Sequence, residues 1–280
     1  MAMSTAPAPD ATDPAAPAAA RRTVVARNIA AHSSNKVHSD EFAQGMGYKG
    51  ALVPGSTVFS YLEPVVAKAF GGRWAAAGAA YVQFKGAVYD GDELEVVGEP
   101  GDGVPGTLRV AVAPAGADLP PVVADAWIDT SAVAPDVRAY PRTDLPAEPV
   151  PLTEAYALDT PAMGSSPAPT DRATIDAYLA SIADQSLPAD ATVPVSYLAK
   201  MYADLMRTNV TRGPSIHVSS RVQQHRPVAL GEELTVRGRI DRLYGRKAGR
   251  YYVLDMAWVD ADERVVATAE HTGIYHLRKW

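Results

Sequence analysis

The sequence predicts an α+β protein made of two similar units, each a long apolar helix followed by an antiparallel sheet. Three pairs of short segments recur in the same order, two pairs 140 residues apart and the third 143 residues apart. They are VPGS at 53–56 with VPVS at 193–196, GDEL at 91–94 with GEEL at 231–234, and VVADA at 122–126 with VVATA at 265–269. Three matches in one order indicate a duplication.

Composition narrows the class of protein. The chain has 280 residues, of which 47% are hydrophobic, enough for a packed core. A net charge of −6 disfavours nucleic acid as a partner, and the lack of cysteine excludes disulfides. No apolar run approaches the roughly 20 residues of a membrane span, so no membrane partner is expected. Residues 1–21 are rich in alanine and proline, and Arg21 and Arg22 follow the apolar part instead of preceding it. We therefore predict a disordered tail on a soluble, cytoplasmic protein.

The N-terminal unit is predicted to span 22–131. The helix at 55–70 has an apolar stripe at i, i+4 and i+7 positions, and Gly71-Gly72 ends it. The other predicted elements are a strand at 23–29, a short helix at 40–46 ended by Gly47, and strands at 80–88, 93–99, 107–114 and 122–131. Turns between the later strands are too short for parallel crossovers, so this sheet should be antiparallel.

A proline-rich segment at 132–169 is predicted to link this unit to a C-terminal unit at 170–280. Helices at 171–182 and 193–207 and strands at 215–224, 233–244, 250–260 and 265–277 are expected there. The apolar face of a sheet must be shielded from water, and the central helix of each unit packs against it. This is the hotdog arrangement. Two units paired edge to edge form a double hotdog, in which the second unit protects the sheet edge of the first and supplies a wall of an acyl tunnel.

One histidine and one helix start are the candidate chemical groups. His38 precedes a short helix, and Val53 to Ser56 open the apolar helix. Free N–H groups at a helix N-terminus stabilise developing negative charge, and glycine lets a ligand approach the backbone closely. An imidazole is suited to proton transfer near neutral pH. His38 with the Gly55 N–H therefore indicates chemistry on a carbonyl compound.

Several segments carry a resemblance to a known family: NKVH at 35–38, Ala43, GYKG at 47–50, VPG at 53–55 and YDGD at 89–92. Over most of 22–131 the chain resembles the MaoC-like acyl dehydratases, which include (R)-specific enoyl-CoA hydratases. Their motif is Gly-Asp-x-Asn-Pro-hydrophobic-His. Asn35 and His38 match it, whereas Ser33 replaces the catalytic aspartate and Lys36 replaces the proline.

The resemblance implies a lyase of fatty acid metabolism that hydrates an enoyl thioester or dehydrates a 3-hydroxyacyl thioester, bound to CoA or a carrier protein. It implies His38, Ser33, Asn35 and Gly55 as catalytic residues. The expected substrate contacts are Pro54 and Ser56 at the helix start, with Lys36 and Lys49 as phosphate contacts. No metal and no cofactor beyond the substrate's own CoA or phosphopantetheine is expected. An acyl carrier protein and a second copy of the chain are the protein partners that the resemblance allows.

Serine in place of the family aspartate leaves alternatives open, because it holds no negative charge at pH 7. His38 acts alone, or Asp40 takes part, or the activity is lost. Asp40 is more simply the N-cap of the 40–46 helix, and capping is also the favoured role of Ser56. Gly55 is equally well explained as a helix-start glycine. A thioesterase remains an alternative, with Asp40 or Glu63 as its carboxylate, and so does a non-catalytic module that binds acyl thioesters.

The remaining histidines have no evident partner in the sequence and are predicted to be structural or exposed. They are His32, His217, His225, His271 and His276. In the second unit, Tyr178 stands where His38 stands in the first, and Val195 replaces Gly55. We therefore predict one active site per chain.

Overall fold

A ten-stranded antiparallel sheet dominates the computed structural model, which describes residues 16–102, 104–183 and 185–278. The strands are β1 (Ala20–Val25), β2 (Gly78–Phe84), β3 (Glu93–Pro100), β4 (Leu108–Pro114), β5 (Val122–Ile128), β6 (Val150–Pro151), β7 (Ser166–Ala168), β8 (Val210–Thr211), β9 (Ile216–Gln224), β10 (Leu234–Arg246), β11 (Gly249–Asp260) and β12 (Val265–Leu277). Their order in the sheet is β1-β3-β4-β5-β2-β9-β12-β11-β10-β7. Strands β6 and β8 form a separate parallel pair.

Helices cover one face of this sheet. They are α1 (Asp40–Gly45), α2 (Gly55–Phe70), α3 (Gly72–Ala77), α4 (Glu154–Asp159), α5 (Arg172–Ala183), α6 (Val195–Lys200) and α7 (Tyr202–Asn209). The apolar stripe of α2 is buried, with Val58, Leu62 and Val65 each at most 2% exposed. Gly71 follows with a φ of 61°, which glycine adopts readily, and the helix ends there as predicted. No helix in the described ranges is long and apolar enough to cross a membrane.

The strand order follows the same pattern when it is counted inward from either edge of the sheet. Strand β1 lies beside β3 at one edge, as β7 lies beside β10 at the other. Strands β2 and β9 join the two halves in the middle, through pairs from Ala79↔Gln223 to Gln83↔Ser219. Each half is one helix-covered unit, so the duplication seen in the sequence is present in the fold. The second unit does pair with the sheet edge of the first, as the double hotdog prediction requires.

Several predicted boundaries were wrong; the strands predicted at 23–29 and 80–88, for example, end at Val25 and Phe84. Strand β1 begins at Ala20, so the ladder with β3 includes Ala20 and Arg21, which were assigned to the tail; residues 1–15 lie outside the described ranges. Strand β7 lies within the segment that was predicted to be a linker. It pairs with β10 and forms the second edge of the sheet. The predicted helix at 193–207 is divided at Met201, whose N–H donates to the carbonyl of Leu198 in a tighter turn.

The segment between the units is held against the sheet face opposite the helices. Tyr140 packs beside Ala257 and Val259, and its hydroxyl donates to Asp255 at 2.8 Å. Its carbonyl accepts from the buried guanidinium of Arg237 at 3.3 Å. A proline-rich stretch therefore has a fixed path here, because side chains from the sheet anchor it.

Candidate functional site

The ring of His38 is held by two hydrogen bonds that define its tautomer. His38 is the last residue of a short 3₁₀ helix, Lys36–His38. Its Nδ1 lies 2.6 Å from the carbonyl oxygen of Leu52, and a carbonyl oxygen only accepts, so Nδ1 carries the proton. Its Nε2 is then unprotonated, and its electron pair accepts a hydrogen bond from Nδ2 of Asn35 at 3.2 Å. This is the form of histidine that can take a proton from water.

Burial keeps this histidine neutral. It lowers the pKa of His38 below its usual value of 6.5, and the hydrogen bond to Leu52 opposes that shift only in part. Desolvation disfavours the charged imidazolium, so the ring remains a proton acceptor at pH 7.

Asn35 connects the two units at this point. Its Nδ2 donates to the carbonyl of Ser215 at 2.8 Å, and its Oδ1 accepts from the Ser215 N–H at 3.0 Å. Ser215 immediately precedes β9 of the second unit. One side-chain amide therefore holds the His38 ring and the facing wall together.

His38 and the first turn of α2 line the same small cavity. Pro54 and Gly55 contribute the helix start, and the second unit contributes Tyr202 and His217 to the facing wall. The cavity measures about 50 Å³, which is room for a water molecule or two and not for an acyl chain. An acyl substrate therefore requires the apolar walls to move apart.

An open cleft of about 590 Å³ lies on the outer side of His38. Lys49 and Asp40 line it together with Tyr89, over whose ring the Lys49 ammonium lies at 5.5 Å. His38 lines both the cleft and the inner cavity. The histidine therefore stands between the surface and the helix start.

The structure brings some of the predicted site residues together and not others. His38, Asn35, Pro54 and Gly55 line the inner cavity. Lys49 is exposed in the outer cleft. Ser33 and Lys36 are exposed and line neither space. Ser56 also lies outside the cavity lining.

Both capping predictions were wrong. Pro54 is the N-cap of α2, so Ser56 lies one position inside the helix, where it makes no cap. Ser39 is the N-cap of α1, and Asp40 is its first residue. The Asp40 carboxylate instead accepts from the N–H of Ala51 at 2.7 Å. The carbonyl of the following residue, Leu52, accepts from the His38 ring. Asp40 therefore holds the segment that positions this ring.

The carboxylate of Glu63, a residue of the first unit, lies at the start of α6. In the second unit this helix start corresponds to the start of α2 at Gly55. Its carboxylate accepts from the N–H groups of Val195 at 3.1 Å and Ser196 at 2.8 Å, the first two residues of α6. The indole of Trp74 donates to it at 2.8 Å. Burial raises the pKa of Glu63, and these hydrogen bonds oppose the shift. The duplicated helix start is therefore occupied by a carboxylate from the first unit.

Replacing Glu63 with alanine is expected to lower the free energy of unfolding by about 3 kcal/mol, because three donors in the interior lose their acceptor. Urea unfolding measures this change. Glu41→Ala is the matched control, since Glu41 is an exposed carboxylate in the first turn of α1. Equal stabilities for the two variants would show that the Glu63 contacts contribute nothing.

Two buried histidines, His217 and His271, are joined through Ser220, whose Oγ lies 2.8 Å from Nε2 of His217 and 3.1 Å from Nδ1 of His271. The ring of Tyr202 stacks on His271 with centroids 3.6 Å apart. The prediction that these histidines have no partner was therefore wrong. An irregularity beside Val218 in the β9–β12 ladder shifts the register, and it places His217 and Ser220 near each other. Residues three apart in a regular strand face opposite sides, so the sequence carried no sign of this cluster.

This cluster predicts that acid destabilises the protein. Burial lowers the pKa of His217 to about 3, and burial with the nearby charges of His217 and Arg212 lowers that of His271 well below 6.5. The unfolded chain binds these protons near pH 6.5, and the folded chain does not. Stability is thus complete above pH 6.5 and falls as pH falls, by about 1.4 kcal/mol per pH unit for each histidine.

Urea unfolding at pH 7, 6 and 5 measures this slope. His32→Gln, at an exposed position, should leave the slope unchanged. A stability that is flat between pH 7 and pH 5 would contradict the assignment of two buried neutral histidines.

The fold and the cavity together define a double hotdog protein with a histidine facing the start of its first central helix. Solved structures share this fold across nearly their whole length. A protein of Mycobacterium tuberculosis described as having a double hotdog fold is 15% identical, with a TM-score of 0.60 over 93% of this chain and 96% of its own.

Two further structures share the fold and are described with activities that differ from each other. A Chloroflexus aurantiacus MaoC domain protein, provisionally described as a dehydratase, is 15% identical with a TM-score of 0.57, over 92% of this chain and 95% of its own. A Lactobacillus plantarum protein, provisionally described as an oleoyl thioesterase, is 9% identical with a TM-score of 0.53, over 94% and 98%.

No family model matches the sequence, and no curated protein matches it. The comparisons therefore confirm the double hotdog fold and the structural likeness to MaoC-like dehydratases, at identities that show the fold alone.

Proposed function

We propose that this chain is a hydratase or dehydratase of enoyl or 3-hydroxyacyl thioesters. The observation that carries the proposal is that His38 and the first turn of α2 line one cavity. His38 acts as general base and acid, and the Gly55 N–H donates to the thioester oxygen. The outer cleft beside Lys49 admits the CoA or phosphopantetheine arm.

The proposed reaction needs one proton acceptor and one oxyanion donor. In hydration, Nε2 of His38 takes a proton from water while the water oxygen bonds to C3 of the enoyl group. The double-bond electrons move toward C2, and negative charge develops on the thioester oxygen. The N–H groups and dipole at the start of α2 stabilise that charge. His38 then returns the proton to C2, which restores the thioester. Dehydration is the same path reversed.

The site departs from the resembled family in lacking its aspartate. Ser33 is exposed and lines neither the cavity nor the cleft. Among the residues that the structure describes, the hydrogen-bond partners of the His38 ring are Leu52 and Asn35. His38 therefore acts in this proposal without a carboxylate partner.

A thioesterase is the second candidate, favoured by the likeness in fold to the Lactobacillus protein. Its carboxylate would be Asp40 or Glu63. The Asp40 carboxylate accepts from Ala51 and that of Glu63 from the α6 N–H groups, and neither residue lines the inner cavity. These contacts favour the hydratase.

One assay separates these functions. Purified protein is given trans-2-enoyl thioesters of short and medium chain length, as CoA and as N-acetylcysteamine esters. Loss of the conjugated enoyl absorbance is followed together with release of free thiol. The proposal expects loss of absorbance without thiol release. Thiol release would identify a thioesterase, because hydrolysis of the thioester also removes the conjugated absorbance, and binding without either change would identify a non-catalytic module.

A further inference from the structure

We infer that His217 is a second hydrogen-bond donor to the thioester oxygen, beside the N–H of Gly55. This inference rests on the proposed function and adds a catalytic residue from the second unit. It concerns a histidine that neither the sequence motif nor the family resemblance selects.

The first support is the position of the ring. His217 lies in β9, 8% exposed, and lines the cavity that His38 lines. A methyl group on Gly55 would lie 2.7 Å from Nδ1 of His217, so this nitrogen faces the first residue of α2. The imidazole and the helix start therefore converge on one point of the cavity.

The second support is an unpaired polar atom. Nδ1 of His217 is buried and has no hydrogen-bond partner within the described residues. A buried polar atom without a partner is unfavourable and calls for an explanation. A thioester oxygen bound at the start of α2 would supply the partner that Nδ1 lacks.

The third support is a chain of hydrogen bonds that can place the proton on Nδ1. Ser220 has one hydroxyl hydrogen, so it can donate to only one of the two rings it contacts. When it donates to Nε2 of His217, it accepts from Nδ1–H of His271. The proton of His217 then stands on Nδ1, facing Gly55. A neutral imidazole beside a helix N-terminus can polarise a carbonyl in this way.

The surroundings hold the ring in this orientation and keep it neutral. The ring of Phe84 lies 4.1 Å from that of His217 between centroids, and Tyr202 lies at 5.2 Å. Burial lowers the pKa of His217, so the ring donates as neutral imidazole at pH 7. The contact forms when the cavity widens to admit the acyl group.

The test uses three substitutions that remove different nitrogens. His217→Asn keeps an N–H close to the position of Nδ1, His217→Gln keeps one close to Nε2, and His217→Phe keeps neither. His225→Gln is the control, because His225 is a partly buried histidine that does not line the cavity. The probe is a 2,4-dienoyl N-acetylcysteamine thioester, whose absorbance moves to longer wavelength when its carbonyl is polarised.

We expect a red shift of the bound dienoyl thioester in wild type, in the His225→Gln control and, largely, in His217→Asn. In His217→Gln and His217→Phe we expect at least half of the shift to be lost and kcat to fall by about 10²–10³-fold, as for other oxyanion donors. Thermal unfolding of each variant accompanies the assay. A variant with lowered Tm but a full shift and an unchanged kcat would show a structural role and overturn the inference.

Different results would contradict the proposed hydratase function and the proposed role of His217. A wild type that hydrates enoyl thioesters, with Gln and Phe variants that keep the shift and kcat, would overturn only the role of His217. A wild type that neither shifts the dienoyl spectrum nor turns over any enoyl thioester would overturn the proposed function and this inference with it.

Discussion

Replacing His38 with glutamine is expected to lower kcat for enoyl thioester hydration by about 10²–10⁴-fold, the usual contribution of a general acid–base group. Glutamine can still hydrogen-bond to Leu52 or Asn35, but it cannot take a proton from water. The change should therefore act on kcat far more than on KM, because the lost interaction exists only in the transition state. Steady-state kinetics with an enoyl thioester measure it.

His32→Gln is the matched control for this experiment, since His32 is exposed six residues earlier and lines neither space. Urea unfolding of the His38 variant checks that its fold is intact. An intact His38→Gln variant with wild-type kcat would remove His38 from the mechanism. The family aspartate is Ser33 here, so no neighbouring carboxylate at that position can compensate.

Replacing Gly55 with alanine is expected to lower stability by about 1–3 kcal/mol, as overpacking does in well-packed regions. The new methyl group would lie 2.7 Å from Cβ and Nδ1 of His217, closer than packed atoms tolerate. Either the His217 ring or the start of α2 must shift, and both are parts of the site. Hydration should therefore fall by at least about 100-fold, the cost of losing an oxyanion donor.

Gly72→Ala provides the control for this change. Gly72 is the first residue of α3, and a methyl group there would meet nothing within 4 Å. This variant should keep wild-type activity and should be no less stable than wild type, because alanine restricts the unfolded chain. A Gly55→Ala protein with unchanged stability and activity would show that the helix start and His217 are not in close contact.

The sequence predicted those parts of the fold that depend on local pattern. The bounds of α2 and of β12 came out as predicted, and for α2 the reason is that an apolar stripe ended by Gly71 is a local signal. The duplication was equally visible, because the repeated segments occupy equivalent places in the two units. The resemblance selected Asn35 and His38, which line one cavity, and their catalytic roles stay predictions.

Features that depend on contacts between residues far apart in the sequence could not be predicted. Glu63 accepts from the start of α6 more than a hundred residues later, and no local pattern marks that contact. The pairing of Ser220 with His271 depends on the register between two strands and on an irregularity within it. Strand β7 is three residues long and includes a proline, so only its partner β10 makes it a strand.

The central claim is that His38 and the start of α2 act on one substrate inside one cavity. A crystal structure with an acyl-CoA analogue in which a methylene replaces the sulfur tests it most directly, because the resulting ketone keeps the carbonyl and resists hydrolysis. We predict its carbonyl oxygen within about 3 Å of the Gly55 nitrogen, its C3 beside Nε2 of His38, and a cavity wider than the present 50 Å³. An analogue bound elsewhere on the protein, with this cavity unchanged and still closed to the acyl chain, would contradict the account.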